Sequence, residues 1–518
     1  MPRLTRRDLL YTSGAALAVT AATAMTSPAL GAQSGAATPA SAPGLDMSAV
    51  NQFVADAVRH YDVPGAAVAV VQDGAPLLVG GYGVREVGGQ DVVDADTVFQ
   101  LASNTKPITA FVLGTLVDEG LIGWDKPIVD VLPELRLADA YATQHVTSRD
   151  VLAHRSGLPA FAGDVLGHLG YDRAEMLRRL RFVEPGSSFR EVAAYSNLGF
   201  FIAGEVVTRL TGAPWEEAVR ERLFEPLGMS RSGASLADLP SDGNFSANHA
   251  VIDGEMSVIP PDDHGVHGAA GSVIASANDM ARWMQMLLDG GAARGTQVIA
   301  PETVRAMFAP SMVAETTFTE APPIDEHAGF SYGLGWGSFH YHGEEILEKG
   351  GALAGVRTVV CLVPRLNVGV AVLANRNLTF LPEAIRAHVL GQLLGDPGYD
   401  MQAEIESRTA IVDALFTPVP MPENPVPPSV PLEDFAGTYE NELHGRAEVI
   451  AEGETLRIEA GPARLPAALR HFNRETFLLD WGTATTVPDP TTFTIGPDGM
   501  AIAFENEGLG RFERVDPE

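Results

Sequence analysis

Cysteine and lysine are both scarce in this sequence. Among 518 residues there is one cysteine, Cys361, so the chain cannot form an internal disulfide. Its neighbours at 359–363 are apolar, which indicates a buried strand residue and not a reactive thiol. Lysine occurs three times, as Lys106, Lys126 and Lys349, against 32 arginines. A function that needs a lysine must therefore use one of these three positions.

Positive charge and long hydrophobic runs are also in short supply. The formal net charge is −31 at pH 7, and such an acidic surface repels phosphate backbones and anionic lipid, which excludes a nucleic-acid binder. The mildly apolar run after residue 8 is diluted by Gly14, Thr20 and Pro28, which argues against a membrane anchor there, and we expect no stable membrane span in the mature chain. The partners that remain are small-molecule and peptide substrates.

The N-terminus is typical of a cleavable export signal. Arg6 and Arg7 precede the apolar run, and small residues follow it up to Ala32. Paired arginines indicate the twin-arginine type of signal peptide, which is predicted here at residues 1–32. Because that route exports folded protein, it agrees with a chain that has no cysteine pair. We therefore expect a periplasmic or extracellular protein in which residues 33–44 form a flexible lead-in.

A proline-rich segment divides the mature chain. Seven prolines between residues 416 and 431 exclude a helix or a central strand, so this stretch is predicted to be a stiff linker. Beyond it, short alternating segments are separated by turn sequences such as Gly496-Pro497-Asp498-Gly499. Short strands at even spacing predict a small all-β barrel over residues 432–518. Such a domain could cap a site or build an oligomer.

Residues 45–415 have a mixed pattern that predicts an α+β domain. An apolar hairpin turns at Asp73-Gly74, and a second strand pair occupies residues 358–373. Strands at both ends with helices between them predict one antiparallel sheet whose first and last strands pair, with flanking helices and an inserted helical lobe. Helical patterns fill the middle at 106–119, 198–211, 215–223 and 278–288.

Ser103 and Lys106 form the only Ser-x-x-Lys sequence in the chain. If a helix begins here, positions i and i+3 share a face, so the amine can reach the hydroxyl, and the helix N-terminus turns positive potential toward the serine. Lysine, unlike arginine, can act as a base once its pKa is depressed. The pair therefore predicts a serine nucleophile with a lysine base. A solvated lysine in a first helical turn is the alternative, but the apolar run from Ile108 to Leu116 indicates a buried helix.

A second element, Tyr195-Ser196-Asn197, lies directly before an amphipathic stretch. A tyrosine beside the serine hydroxyl could relay its proton, and an asparagine could orient a substrate amide. The same Tyr-x-Asn spacing recurs at Tyr439 in the C-terminal unit, where we interpret it as chance.

A third element, Lys349-Gly350-Gly351, comes directly before the second strand pair. A cation there could lower the pKa of Lys106 or Tyr195, and the glycines allow a strand edge to approach closely. Taken alone, Lys349 would equally suit an edge strand that resists aggregation.

In this order the three elements resemble the motif set of the serine β-lactamase and penicillin-binding protein superfamily: Ser-x-x-Lys, Tyr-x-Asn or Ser-x-Asn, and Lys-Thr-Gly. The chain is most similar to the class C-type branch, which also holds D-aminopeptidases and β-lactamase-like esterases. The resemblance runs from about residue 48 to residue 377 and includes framework stretches at 154–159, 224–229 and 268–272. The C-terminal unit resembles the lipocalin-like β-domain of some of these enzymes.

The resemblance implies an enzyme that works through an acyl-enzyme and needs no metal or cofactor. Ser103 would be the nucleophile. Lys106 and Tyr195 would share the general base and acid work, while Lys349 would supply positive potential. The oxyanion hole would consist of the backbone N–H groups of Ser103 and Ala352. The substrate-binding positions would be Asn197, Gly350 and Gly351.

One position departs from the family pattern. Gly350 stands where lactamases usually carry threonine or serine, whose hydroxyl helps to hold the carboxylate of a β-lactam. Its absence argues against efficient lactam hydrolysis and favours an exported esterase or D-amino-acid peptidase. A true class C-type β-lactamase, a D,D-carboxypeptidase and a catalytically silent lactamase-like binding or sensor protein stay open as alternatives. No metal site is predicted from the histidines at 264, 267, 340 and 342, because no cysteine or acidic partner stands at ligand spacing from them.

Overall fold

The computed structural model describes residues 44–314, 329–395, 400–403, 406, 417–483 and 487–515. The predicted signal peptide, all but the last residue of the predicted lead-in and the first residue of the predicted linker lie outside the described residues. The predicted domain limits stay predictions. No helix in the described part of the chain is long and apolar enough to cross a membrane.

The first domain begins with a helix and a long hairpin, continues with short strands and helices, and ends with longer strands and a final helix. Its strands are β1 (Gly65–Gln72), β2 (Ala75–Gly83), β3 (Phe99–Gln100), β4 (Asn248–Ile252), β5 (Glu255–Ile259), β6 (Ile274–Ala275), β7 (Ala292–Ala293), β8 (Thr296–Gln297), β9 (Met312–Ala314), β10 (Phe330–Tyr332), β11 (Gly337–Tyr341), β12 (Glu344–Leu353), β13 (Val356–Val363) and β14 (Val368–Ala374). Its helices are α1 (Met47–His60), α2 (Thr105–Asp118), α3 (Ala140–His145), α4 (Ser148–Leu152), α5 (Arg173–Arg179), α6 (Asn197–Thr211), α7 (Trp215–Val219), α8 (Glu225–Leu227), α9 (Gly268–Gly271), α10 (Ala277–Leu288), α11 (Pro301–Phe308) and α12 (Leu381–Leu394).

Within the described residues, the main sheet has eight antiparallel strands in the order β2-β1-β14-β13-β12-β11-β10-β9. The first strand pairs with the last, so that Ala66 lies opposite Ala374. The turn between β1 and β2 has φ values of 50° at Asp73 and 74° at Gly74, the left-handed pair that a type I′ hairpin requires. The predicted α+β sheet, with its first and last strands paired, is confirmed.

Helices cover both faces of this sheet. Alternate residues of β1 enter different cores: Val68 and Val70 pack with residues of α1 and α12, whereas Ala69 and Val71 belong to the core that contains α2 and α10. Burial on both faces explains why the strands are continuous apolar runs and not alternating ones. Most of the inserted helices lie between β3 and β6, and these two strands pair with each other in a separate two-stranded sheet at the base of the insertion.

The C-terminal domain is a closed antiparallel barrel, eight-stranded over the described residues 437–483 and 487–515. Tyr439 is inside it and donates its hydroxyl to the carbonyl of Phe435 at 2.7 Å, so the second Tyr-x-Asn sequence belongs to a packed core. The predicted small barrel is confirmed. Its strands are β15 (Gly437–Asn441), β16 (Gly445–Glu452), β17 (Thr455–Ala460), β18 (Leu465–Asn473), β19 (Thr476–Asp480), β20 (Asp489–Ile495), β21 (Ala501–Asn506) and β22 (Gly510–Val515).

The barrel rests on the segment around α5 of the first domain. The Tyr171 hydroxyl donates to the carbonyl of His444 at 3.0 Å, and Arg179 donates to the two carbonyls just before it at 2.8 Å each. A backbone bond of 2.9 Å joins Ala463 to Leu169. Because these contacts use backbone carbonyls, the docking depends on the shape of the barrel turns more than on their side chains.

Candidate active site

Ser103 lies on a helical turn, Ala102–Asn104, that leads directly into α2. Ala102 has a φ of 52°, in the left-handed region, which costs a residue other than glycine about 1 kcal/mol or more. The sheet holds this turn: the Thr358 hydroxyl donates to the carbonyl of Leu101 at 2.8 Å and accepts from Asn104 Nδ2 at 2.9 Å. The serine is therefore half-buried on a strained and well-anchored turn at a helix N-terminus.

Lys106 is fully buried one helical turn further on. Its Nζ lies 3.0 Å from Ser103 Oγ, so the predicted contact across positions i and i+3 is present. The same amine lies 2.7 Å from Asn197 Oδ1 and 2.9 Å from the carbonyl oxygen of Ala270 in α9. Three helices thus meet at this amine.

Tyr195 reaches the serine from the loop before α6. Its Oη donates to Ser103 Oγ at 2.7 Å. His154 fixes this loop, because its Nδ1 accepts from the backbone N–H of Ser196 at 3.0 Å and its ring centroid lies 4.5 Å from that of Tyr195. Burial, together with two nearby lysines, holds the pKa of His154 well below its ordinary value. The imidazole is therefore neutral and supports the tyrosine loop.

Lys349 lies on β12 and is 1% exposed. Its Nζ is 4.8 Å from the centroid of the Tyr195 ring. Two positions later, a Cβ on Gly351 would lie 2.4 Å from the carbonyl oxygen of Leu101, so only glycine lets the strand approach the serine turn this closely. Ala352 follows on the same strand, and the oxyanion role of its backbone N–H stays a prediction.

Asn197 begins α6 and bridges Lys106 and Asp164. Its Oδ1 accepts from Lys106, and its Nδ2 donates to Asp164 Oδ2 at 2.7 Å. Asp164 begins a short helical turn of the inserted lobe, Asp164–Leu166. The sequence argument missed Asp164, which lies 33 positions before Asn197 and belongs to no motif in the chain.

The surroundings of the site lower the pKa of both candidate bases. Burial lowers the pKa of Lys106, and Lys349 lowers it further, while Tyr195 opposes both effects. Burial by itself raises the pKa of Tyr195, but Lys106 and Lys349 outweigh it, and the net pKa lies below the ordinary value. Burial raises the pKa of Asp164 to about 7, although the hydrogen bond from Asn197 and the charge of Lys106 oppose it. Both candidate bases therefore move toward the neutral range, where general bases work best.

The structure brings most of the predicted site residues together. Gly350 is buried within β12, opposite Val359 of β13. The substrate contacts predicted for Asn197, Gly350 and Gly351 stay predictions. In the described ranges, no group of three or more His, Cys, Asp or Glu is placed to hold a metal ion. Direct hydrogen bonds link Ser103, Lys106, Tyr195 and Asn197.

Known proteins match both parts of the chain. The family described as Beta-lactamase matches residues 50–393, and a domain of unknown function, DUF3471, matches residues 421–514. The chain is 28% identical over 476 residues to unguisins hydrolase ungD' of Aspergillus campestris (strain IBT 28561), a match that covers 86% of this chain and 87% of that protein. It is 30% identical over 411 residues to penicillin-binding protein 4 of Amycolatopsis lactamdurans, covering 75% and 96%. The octameric penicillin-binding protein homologue from Pyrococcus abyssi shares the fold, with a TM-score of 0.58 at 20% identity over 90% of this chain and 100% of that chain.

Proposed function

Because the chain belongs to the beta-lactamase family, we propose that it is an exported serine hydrolase that cleaves ester or amide bonds through an acyl-enzyme. The observation that carries the proposal is a pair of hydrogen bonds on one hydroxyl: Lys106 Nζ lies 3.0 Å and Tyr195 Oη 2.7 Å from Ser103 Oγ. A serine hydroxyl is a weak nucleophile until a neighbouring base takes its proton. The relative named as a hydrolase favours this function over a silent binding role.

In the proposed reaction, Ser103 Oγ bonds to the substrate carbonyl carbon while its proton passes to Lys106 or Tyr195. The carbonyl electron pair moves onto the oxygen, which the backbone N–H groups of Ser103 and Ala352 would hold. The proton then passes to the leaving amine or alkoxide as its bond to carbon breaks, and the acyl group stays on the serine. Water attacks the acyl-enzyme by the same proton route and releases the acid. Lys349 supplies positive potential that favours the anionic states.

The proposed substrate is an ester or a D-amino-acid amide and not a β-lactam. Gly350 supplies no hydroxyl at the position where lactamases hold the β-lactam carboxylate. The loss affects binding of that carboxylate, while the nucleophile and both candidate bases are unaffected. A class C-type β-lactamase and a D,D-carboxypeptidase are the alternatives within the family. The relative named penicillin-binding protein 4 is an argument for the D,D-carboxypeptidase.

Ser103→Ala, compared with wild type on p-nitrophenyl butyrate, tests the proposed nucleophile. We expect turnover to fall by roughly a thousandfold or more, because the whole acyl-enzyme route depends on one oxygen. Ser241→Ala, at an exposed loop serine, is the matched control and should keep full activity. Mass spectrometry should show a transient acyl adduct on wild type that is missing from the Ser103 variant. Equal turnover of wild type and Ser103→Ala would exclude Ser103 as the nucleophile.

A substrate panel then separates the family alternatives. D-alanyl p-nitroanilide and p-nitrophenyl butyrate represent the proposed peptidase and esterase activities. Strong hydrolysis of nitrocefin would overturn the argument from Gly350, and stable acylation by labelled penicillin would favour the D,D-carboxypeptidase. A folded protein that is inactive on the whole panel would favour the silent binding role.

Export and oligomerisation are proposed separately. Conservative replacement of Arg6 and Arg7 by lysine should leave uncleaved protein in the cell if the twin-arginine route is used. N-terminal sequencing of the exported wild type should begin near residue 33.

The barrel is proposed as an oligomer surface, since the homologue from Pyrococcus abyssi is octameric. Light scattering on the mature chain tests this, and a monomer mass would refute it.

A further inference from the structure

Asp164 is a half-buried residue whose carboxylate has no direct use in the proposed chemistry. Its Oδ2 accepts from Asn197 Nδ2 at 2.7 Å, and its Oδ1 is buried without a hydrogen-bond partner among the residues that the structure describes. An ionised carboxylate can only accept hydrogen bonds. While Asp164 is ionised, the Asn197 amide must therefore turn its NH2 group toward Asp164 and its oxygen away from it.

That amide oxygen meets the lysine of the site. Lys106 Nζ lies 2.7 Å from Asn197 Oδ1 and 2.9 Å from the carbonyl oxygen of Ala270, and its third neighbour is Ser103 Oγ at 3.0 Å. A neutral amine has two N–H bonds and one lone pair. Because two acceptors take the two hydrogens, the lone pair is left facing the serine hydroxyl. A reversed Asn197 amide would instead donate to that lone pair and block the base.

We propose that Asp164 is a positioning residue, which orients the Asn197 amide so that the lone pair of Lys106 points at the nucleophilic hydroxyl. The inference rests on the proposed serine-hydrolase function. During acylation the O–H bond of Ser103 breaks, the proton joins Lys106 Nζ, and Oγ bonds to the carbonyl carbon. The ammonium that results keeps the acceptors of Asn197 and Ala270 and directs its new hydrogen toward the substrate, so one arrangement serves both protonation states.

Other titratable groups surround this part of the site. Tyr195 and Lys349 lie beyond Lys106, and His168 lies on the same segment as Asp164. The charges and histidines of the neighbouring loop are Asp262, Asp263, His264 and His267. Burial lowers the pKa of His264 and of His267 to about 3, so both are neutral near pH 7. Burial raises the pKa of Asp164 to about 7, so its ionisation falls in the range where activity is measured.

Asp164→Asn is the direct test, because it keeps the shape and removes the purely accepting character of the side chain. An asparagine can present either its oxygen or its NH2 group, so Asn197 is no longer held one way round. We expect the plateau kcat on p-nitrophenyl butyrate to fall by roughly tenfold or more with KM changed less than about twofold, and the titration near pH 7 to disappear from the kcat profile.

Two further variants sharpen the test. Asp164→Glu keeps a carboxylate but changes the length of the side chain, so it should retain more activity than the isosteric Asn variant if the acceptor matters more than the shape. Asp253→Asn lies in an exposed turn with a φ of 53°, where asparagine is well tolerated, and it should leave kcat and the pH profile unchanged.

The outcomes separate this inference from the function on which it rests. An Asn variant with wild-type kcat, an Asn variant more active than the Glu variant, or a raised KM at unchanged kcat would each overturn the positioning role. So would a shifted pH profile with an unchanged plateau, which reflects loss of charge alone. Unfolding of the isosteric Asn variant, seen by circular dichroism, would also overturn it, because the carboxylate would then be structural. If wild type itself shows no turnover that depends on Ser103, the proposed function fails and the inference falls with it.

Discussion

Replacing Lys349 with methionine would remove a buried positive charge and keep a side chain of similar length. Lys349 Nζ lies 4.8 Å from the centroid of the Tyr195 ring. Its charge lowers the pKa of both Tyr195 and Lys106. Removing it should therefore raise the pKa of whichever group takes the serine proton, so the direction of the effect does not depend on which of the two is the base.

The size of the effect follows from Coulomb's law. If the charge separation is set to the 4.8 Å between Lys349 Nζ and the Tyr195 ring centroid, two unit charges interact by about 3 kcal/mol at an effective dielectric constant of about 20, which corresponds to roughly two pH units. Solvent screening in the cleft reduces this value. We expect the acid limb of the kcat/KM profile, where the base becomes protonated, to move upward by about one to two pH units in Lys349→Met.

The assay is p-nitrophenyl butyrate hydrolysis between about pH 5 and about pH 9, corrected for spontaneous hydrolysis. Lys126→Met is the matched control, because Lys126 is the remaining lysine and is exposed. Its profile should superimpose on that of wild type. A folded and active Lys349→Met enzyme whose acid limb stays in place or moves downward would refute the electrostatic argument, and Lys349 would then act only through packing or substrate contact.

Two predictions concern parts of the molecule outside the site. Burial raises the pKa of the Cys361 thiol, so Ellman's reagent should find no reactive thiol in the native chain and one after denaturation; a native thiol that reacts at once would contradict the buried β13 position. A Cβ on Gly445 would lie 1.9 Å from Tyr171 Oη, so Gly445→Ala should loosen the barrel and destabilise the protein by about 1–3 kcal/mol in denaturant unfolding. Gly453→Ala shares the left-handed φ but meets no neighbour, so it measures the backbone strain alone, and equal losses in both variants would argue against the docking contact.

Local spacing is enough to predict part of the site. Ser103 and Lys106 share one helical turn, so a separation of three positions already implies their contact. Tyr195 and Lys349 are predicted only through the order of motifs in a family that the chain resembles, because their local sequence does not indicate that they lie close to Ser103 in space. Asp164 could not be predicted, since its bond to Asn197 is a tertiary contact and a single Asp after a glycine is common in loops.

The fold, like the site, has elements that local sequence predicts and elements that only tertiary contacts determine. The hairpin of β1 and β2 and the apolar runs of β13 and β14 carry strong local signals, and all four strands are predicted. By contrast, β9 and β10 are each three residues long, which is too short to show a periodicity. They form because the edge strand of an existing sheet has unpaired backbone N–H and C=O groups with which they can pair. The docking of the barrel depends on hydrogen bonds to backbone carbonyls, so the pattern of side chains in the sequence does not predict it.

Buried arginines and the buried lysine of the site have different partners, and the difference supports the proposed base role of Lys106. Arg357 and Arg386 are almost fully buried, and each pairs with a carboxylate, Glu383 and Glu348 respectively. A guanidinium stays charged throughout the biological pH range, so its burial requires such a partner. Lys106 is equally buried, yet its amine meets a hydroxyl, an amide oxygen and a backbone carbonyl, and burial lowers its pKa. An arginine at that position would be a permanent charge without a carboxylate and without a lone pair, so the use of a lysine here, in a chain with 32 arginines, supports the proposed role of Lys106 as a base.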